Sequence, residues 1–443
     1  MLNFIENKKI ILVISHLIIG FLATLPFFST IYGFSIISIP ILILLYTKNK
    51  NEEAFILSSY LVGAEVFVRM TKGFVLYESG KYGVILFLLF GILIGEFKQK
   101  FSIHYISYIF LLLLGIVFTQ VPEGESIRKA IAFNLSGPVL LGVCSFYFYY
   151  RTISKKQLHG ALFFMLMPLI SMITYLFFRT PDLKEIVFGG TANFAASGGF
   201  GPNQVATAIG LGIFIIVVFI LIKKSITGFL FIDALLLIYF IYRGLLTFSR
   251  GGIFTGAITL GCFILFYSFY QRQSFALISK YLIIGGLFLV GVWLYTSNIT
   301  GGMLDNRYTG KNARGVQKAD ISSGRVDILD RQIKSFIDNP LGIGVGNGKY
   351  KRRLSSNKVT AASHNEVGRL IEEHGVIGIL LLMGIIIIPL FNFINGNNYQ
   401  RAFTTAFYLF WFLTINHSAM RIAFPGFIYA LSLIKIVDNE ANK

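Results

Sequence analysis

Apolar runs succeed one another along nearly the whole of this 443-residue chain, most of them close to the roughly 20 residues that let a helix cross about 30 Å of hydrocarbon. Five come first, near Ile10–Phe28, Ile31–Tyr46, Ala54–Met70, Tyr82–Phe97 and Tyr105–Thr119. Six follow, near Ala130–Tyr149, Leu158–Phe178, Val205–Ile222, Ile226–Phe248, Ile253–Tyr270 and Ala276–Tyr295. The pattern then breaks for 79 residues, Thr296 to His374, and resumes with Val376–Phe393, Ala402–Ile415 and a weaker Ile422–Ile434. The last two are short and could tilt or lie re-entrant, so the pattern predicts twelve to fourteen transmembrane helices. The fold class expected is an all-α polytopic membrane protein in three parts. These are a transmembrane bundle over 1–295, an extracytoplasmic loop over 296–374 and C-terminal transmembrane helices over 375–443.

Composition sharpens this picture. With 55% hydrophobic residues, 14% charged and a mean hydropathy of +0.70, a soluble globular chain is excluded. The net charge of +18 is not gathered into one basic domain, which argues against nucleic acid as a partner. With the N-terminus placed in the cytoplasm, the inner connections hold fifteen Lys/Arg and the short outer ones eight. Fourteen spans return the C-terminus to the cytoplasm and put the long loop outside. That loop carries 13 Lys/Arg against 8 Asp/Glu, and long loops cross largely regardless of charge. A basic outer surface beside a membrane bundle suits an anionic, membrane-borne substrate such as a lipid-linked phosphate. Lys8 and Lys9 precede an apolar run that lacks a small-residue cleavage site, so this run is expected to stay as the first helix. Cys144 and Cys262 fall inside predicted spans and make no disulfide framework or metal site.

Candidate chemistry lies around the polar interruption. Ser249-Arg250-Gly251-Gly252 is expected at the outer end of the ninth span, with Arg243 two turns earlier on the same face. A guanidinium matches phosphate oxygens bidentately, although an Arg at a helix end also serves as a snorkelling anchor. Ser322-Ser323-Gly324-Arg325 precedes Val326, Leu329, Ile333, Phe336 and Ile337, which recur at helical spacing until Asn339-Pro340. This predicts an amphipathic helix against the membrane face, with Arg325 either at an anion-favouring N-terminus or merely solvated. The run LGIGVGNGK over Leu341–Lys349 lacks phosphate-loop spacing and reads as a tight packing turn. Ser363 and Glu366 form an S-x-x-E capping box, which would set His364 at the first helical position and keep its ring neutral, as a general base requires. Asn365, Glu366 and Ser249 are the expected supporting residues. Glu65, Arg69 and Asp233 lie inside predicted spans; the first two can form an i, i+4 pair. Pro202 and Asn203 suit the start of the eighth span. No metal-ligand spacing is found.

Taken in order, SRGG at Ser249–Gly252, SGR at Ser323–Arg325, NPLGIGVGN at Asn339–Asn347 and SHNEVGRLIEEHGVIG at Ser363–Gly378 resemble the O-antigen ligase/polymerase superfamily, as does GPNQVATAIG at Gly201–Gly210. The resemblance covers about the last 250 residues by motif and the rest by hydropathy. It implies a GT-C-like, metal-independent inverting glycosyltransferase without a cofactor in the bacterial inner membrane. Its donor would be a glycan on undecaprenyl diphosphate, and its active site would face the periplasm. The acceptor would be lipid A-core for a ligase, or a second lipid-linked glycan for a polymerase. By residue, the resemblance maps diphosphate binding to Arg250 and Arg325 and the catalytic base to His364, with Arg243 as a further candidate. Two departures are up to fourteen spans against the usual twelve, and a short stretch between Arg325 and His364. A lipid-linked oligosaccharide transporter is the competing class, but it would be expected to show internal repeats, and none is evident.

Overall fold

Each of the fourteen apolar runs is helical in the computed structural model, which describes residues 2–96, 100–181, 186, 191–272, 275–320, 322, 324–355 and 363–438. Ser323 of the SGR triplet and Lys98, Lys184 and Lys443 of the charge count lie outside the described residues. The first seven helices are α1 Leu2–Leu22, α2 Pro26–Thr47, α3 Glu53–Met70, α4 Ser79–Leu93, α5 Ile103–Leu114, α6 Ile127–Phe148 and α7 Lys155–Arg179. A 3₁₀ turn at Ala195–Ser197 precedes α8 Pro202–Leu221, α9 Leu230–Leu246, α10 Arg250–Gln271 and α11 Phe275–Ile299. The polar segment holds α12 Met303–Tyr308, α13 Arg325–Asp338 and α14 Asn347–Ser355; α15 Glu366–Ile394, α16 Asn398–His417 and α17 Ala423–Leu431 close the chain. Among the described residues, α2, α6, α7, α8, α10 and α15 are long and apolar enough to cross a membrane by length and composition alone.

The centre of the bundle is α3, with seventeen of its eighteen residues buried between α4 and α7. At Gly63 the backbone of α7 comes so close that a Cβ would stand 2.1 Å from the Met165 carbonyl oxygen. Local signals set the helix starts. Ser154 and Gln157 form a reciprocal capping box on α7, and α2 and α8 begin with Pro at the first turn.

Side-chain contacts sort the connections into two opposite faces. On one, Asn49 Nδ2 donates to the Gly91 carbonyl at 3.1 Å, Arg151 Nε donates to Glu52 at 2.7 Å, and a parallel pair of short strands, β1 Thr152–Ser154 and β2 Lys435–Val437, joins the α6–α7 connection to the C-terminal segment. On the other lie the α3–α4, α5–α6, α9–α10 and α16–α17 connections together with the polar segment. α17 has only nine residues, about 13 Å of helix. It still links the two faces: Arg421 before it touches Ser363, and Lys435 after it bonds Arg151. Both faces are recessed here, with Arg151 and every residue of α17 buried.

The polar interruption is narrower than hydropathy suggested. Helix α11 continues to Ile299 and α15 begins at Glu366, ten residues before the predicted span at Val376. The first turns of α15 carry Glu366, Arg369, Glu372, Glu373 and His374, all buried against protein, so hydropathy could not register them as span. Helix α15 breaks at Gly375, with φ +61° and ψ −137°. The break frees the Glu372 and Glu373 carbonyls, which accept from Ile343 N at 3.1 Å and Gly344 N at 3.0 Å, while Val376 N turns to Pro340 O at 2.9 Å. The glycine run is therefore the packing turn that its spacing predicted. Helix α13 runs to Asp338, as expected, and packs Gln332 and Ser335 inward against α15, leaving Val326, Ile333 and Ile337 exposed. The exposed surface of α13 is mixed, since Asp327, Asp330, Arg331 and Lys334 lie on it as well, with Lys334 paired to Asp330 at 2.7 Å.

Candidate active site

Arg250 does not continue the ninth span. Helix α9 stops at Leu246, Phe248 adopts a left-handed conformation (φ +55°), and the chain reverses so that Arg250 is the first residue of α10. Ser249 is buried and donates from Oγ to Asn203 Oδ1 at 2.8 Å, tying this corner to the first turn of α8. Gly251 exists for a neighbour: a Cβ there would stand 2.5 Å from the His417 ring. Gly252 brings α10 against α8, where a Cβ would meet the Ala206 carbonyl carbon at 2.3 Å. The His417 ring lies between Thr207, 3.3 Å from its Nε2, and the Leu413 carbonyl, 2.9 Å from its Nδ1.

The polar segment folds further cations over this corner. Helix α12 is held by Tyr308, whose ring meets Trp293 edge-on at 4.6 Å and Phe254 at 5.6 Å. Arg307 thereby reaches back, and its Nε donates to the Phe248 carbonyl at 2.9 Å. Arg325 is the first residue of α13, positioned by Gly324 at φ +79° and by Asp320, which accepts from Ser322 N and Gly324 N. These charges feel one another. Partial burial lowers the Arg307, Arg325 and Lys318 pKa values; Arg250 lowers all three further, and Arg325 acts on Arg307 as well. Burial pushes the Tyr308 phenol up to about 12, and its buried oxygen has no hydrogen-bond partner among the described residues. Two helix N-termini, four basic side chains and a neutral phenol therefore lie near one another, a concentration of positive charge that favours an anion.

His364 stands beside these cations. Its pKa is lowered to about 4, first by the surrounding protein, then by Arg325 and Arg421. The capping box is not formed as the S-x-x-E spacing suggested. Asn365 is the N-cap of α15, its Oδ1 accepting from Gly368 N at 3.1 Å, and His364 is the residue before the cap. Asn caps as well as Ser, and Glu366 is drawn off by Arg369, with which it pairs, and by Met420 N at 3.2 Å. Ser363 instead makes a local turn, its Oγ accepting from Asn365 N at 3.2 Å. Behind His364, residues Ser363, Arg369, Glu373, Lys349 and Arg421 line a cavity of about 20 Å³. That is room for a water but not for a sugar, and the His364 residue itself is exposed.

Arg250, Arg325, His364, Asn365 and Glu366 are thus brought to one face, with Ser249 beneath. Arg243 is held elsewhere: its buried Nη2 donates to Leu176 O at 3.2 Å, Thr180 Oγ1 at 2.5 Å and Ala196 O at 3.3 Å. It closes the C-terminal end of α7, where free carbonyls favour a cation. The reversal at Phe248 removes the continuous helix face that would have aligned Arg243 with Arg250. Residues 234–383 match the family model described as O-antigen ligase. The match covers about a third of the chain and supports the resemblance to the O-antigen ligase/polymerase superfamily that the ordered motifs suggested. No curated protein and no solved structure matches the chain. The O-antigen ligase stretch runs from α9 into the second half of α15 and contains Arg250, Arg307, Arg325 and His364. It omits Thr207 of α8, His417 of α16 and Arg421 of the α16–α17 connection, which reach the site from outside that stretch and which sequence reasoning had not singled out. Arg307 and Lys318 were missed as well. Their only signal was a share in the loop's basic excess. Among the described residues, no group of three or more His, Cys, Asp or Glu is placed to hold a metal ion.

Proposed function

We propose that the protein is a membrane glycosyltransferase of the O-antigen ligase type, acting on a glycan linked to undecaprenyl diphosphate at the outer face of the inner membrane. The observation that supports this most is that Arg250 lies close enough to Arg325, each opening a helix, to act on its charge, and that Arg325 acts in turn on the neutral His364. The guanidiniums, with Arg307 in the place first given to Arg243, hold the diphosphate. The acceptor hydroxyl oxygen attacks the anomeric carbon while its proton passes to His364. The bond from that carbon to the phosphate oxygen breaks, and undecaprenyl diphosphate leaves with the electron pair, its charge spread over the arginines. A single in-line displacement inverts the anomeric centre. Lipid A-core is the acceptor in this reading.

Replacing Arg250 or Arg325 by Ala removes a charge-assisted contact worth about 1.5–3 kcal/mol, so undecaprenyl diphosphate should bind at least about tenfold more weakly. In contrast, His364→Ala should keep that binding and lose transfer by roughly 10²–10⁴-fold. Normal binding by both arginine variants, or normal transfer by His364→Ala, would overturn these assignments. Surface glycans of a deletion strain decide the acceptor: loss of all capped core means a ligase, and single repeat units left on the core mean a polymerase.

A further inference from the structure

The side chain of His364 is exposed, so its direction depends on how the backbone on either side is held. The residues around it are gripped by one short segment, the corner between α16 and α17. Arg421 Nη2 donates to the Ser363 carbonyl at 2.8 Å, Asn365 Nδ2 donates to Asn416 Oδ1 at 3.3 Å, and Met420 N donates to Glu366 Oε2 at 3.2 Å. Three of the four residues Ser363–Glu366 are therefore anchored to it, and His364 projects from between the anchors. The corner is itself rigid. Ala419 is buried at φ +53°, a strained conformation for a residue with a Cβ, kept only where the surroundings over-determine it. The Arg421 guanidinium lies 4.1 Å from the Phe133 ring centroid, and at Gly137 helix α6 comes so close that a Cβ would stand 2.2 Å from the Met420 carbonyl oxygen.

The far side of the corner is held by the buried charges of the bundle. Arg69 Nη1 donates to the Arg421 carbonyl at 2.8 Å, and the Ala423 N–H donates to Glu65 Oε2. Arg69 pairs with Glu65 at 2.6 Å and Glu78 at 3.2 Å, and Glu78 pairs with Lys81 at 2.6 Å. Two acids and two bases neutralise one another and fix α3 and α4 against the corner. Glu65 and Arg69 form the i, i+4 pair that their spacing allows. Here they hold the segment that holds the imidazole.

We propose that the corner Asn416–Arg421, with Arg421 as its principal side chain, is the positioning element for His364. This rests on His364 being the proton acceptor of the proposed reaction. The corner lies outside the stretch that matches the O-antigen ligase model.

The test uses the full-length protein in nanodiscs, with undecaprenyl diphosphate as the binding probe and transfer followed in membranes carrying the cell's own donor. Arg421→Gln should bind undecaprenyl diphosphate within about twofold of wild type, yet lose transfer by roughly 10- to 100-fold, the cost of misplacing a reacting group by about 1 Å. The charges that act on His364 are Arg325 from α13 and Arg421 from the corner, with His417 of α16 also coupled to it. Arg421→Gln removes one of these, so the acid limb of the rate profile should move to higher pH. Arg421→Lys keeps the charge but not the fork: the limb should stay in place and the rate should fall between wild type and Gln. Should Arg421→Gln fail to fold, Asn416→Ala, which removes a single anchor, should lower the turnover rate severalfold without changing the donor KM. Wild-type transfer in folded Arg421→Gln and Asn416→Ala proteins overturns the proposal, as does a loss of undecaprenyl diphosphate binding equal to the loss of transfer. His364→Ala, run in parallel, separates the two ideas. If it is inactive while the corner variants are fully active, only the positioning role fails; if it transfers normally, the base assignment itself fails.

Discussion

A base with a pKa of about 4 is weak at neutral pH, and the cause lies at the donor site. Desolvation by the protein around the exposed ring disfavours the imidazolium, and Arg325 and Arg421 disfavour it further. Arg325 is one of the groups proposed to bind the diphosphate. When a phosphate anion occupies it, its repulsion of the imidazolium is cancelled, so donor binding strengthens the base that completes the reaction. The folded-state pKa lies below the ordinary value of 6.5, so the neutral form is fully present at pH 7 and is lost only as pH falls toward 4. Nuclear magnetic resonance of protein with isotopically labelled histidine should find His364 titrating near pH 4 in the free protein. Its titration should move upward when undecaprenyl diphosphate is bound. In Arg325→Gln the free-state value should already be raised and the donor-induced shift lost. An unchanged titration on binding would separate His364 from the donor site.

Among the elements, α15 does two jobs, and Gly375 divides them. Before the break, a charged, buried segment presents its N-terminus to the site; after it, an apolar segment crosses the bundle's edge. The carbonyls released by the break anchor the glycine run, whose Val345 N in turn donates to the Gly115 carbonyl at 3.2 Å at the end of α5. A Cβ on Gly375 would stand 2.1 Å from the Pro340 carbonyl oxygen, and its φ of +61° is unfavourable for other residues. Gly375→Ala should therefore destabilise the protein by at least about 1–3 kcal/mol and expose the run over 340–347 to protease before the bundle unfolds. Thermal unfolding with limited proteolysis checks both, and an unaltered cleavage pattern would show that the run is anchored independently of the break.

At the scale of the whole molecule, the two faces defined by contacts coincide with the two sets of connections that Lys/Arg counting separates. Asn49, Glu52 and Arg151 meet on one face, and Arg69, Ser249 and Arg421 lie on the other. The expected topology puts the second face outside. An impermeant thiol reagent added to intact cells should label a cysteine at the exposed Lys351, and should reach one at the exposed Lys50 only after the membrane is disrupted. The reverse pattern would place the site in the cytoplasm and rule out a donor on the outer leaflet.

Hydropathy alone was enough for the helices, because burial in lipid demands long apolar runs and helical hydrogen bonding whatever the packing. The order of Arg250, Arg325 and His364 around one polar segment was equally legible, since these are local features of composition and spacing. Where α15 begins was legible within two residues from the capping signal at Ser363–Glu366 but not from hydropathy, because its first turns bury charges that pair with one another and so resemble loop in any hydropathy window. The fate of Arg243 and Arg250 was not legible, since it depends on a left-handed Phe248 that turns two neighbours on the chain toward different partners. The contributions of Arg307, His417 and Arg421, and of Arg69 and Glu65 behind them, come from helices far apart in sequence. Only the packed bundle decides which buried charge meets which, because a charge in a low-dielectric interior takes the partner that geometry brings within reach.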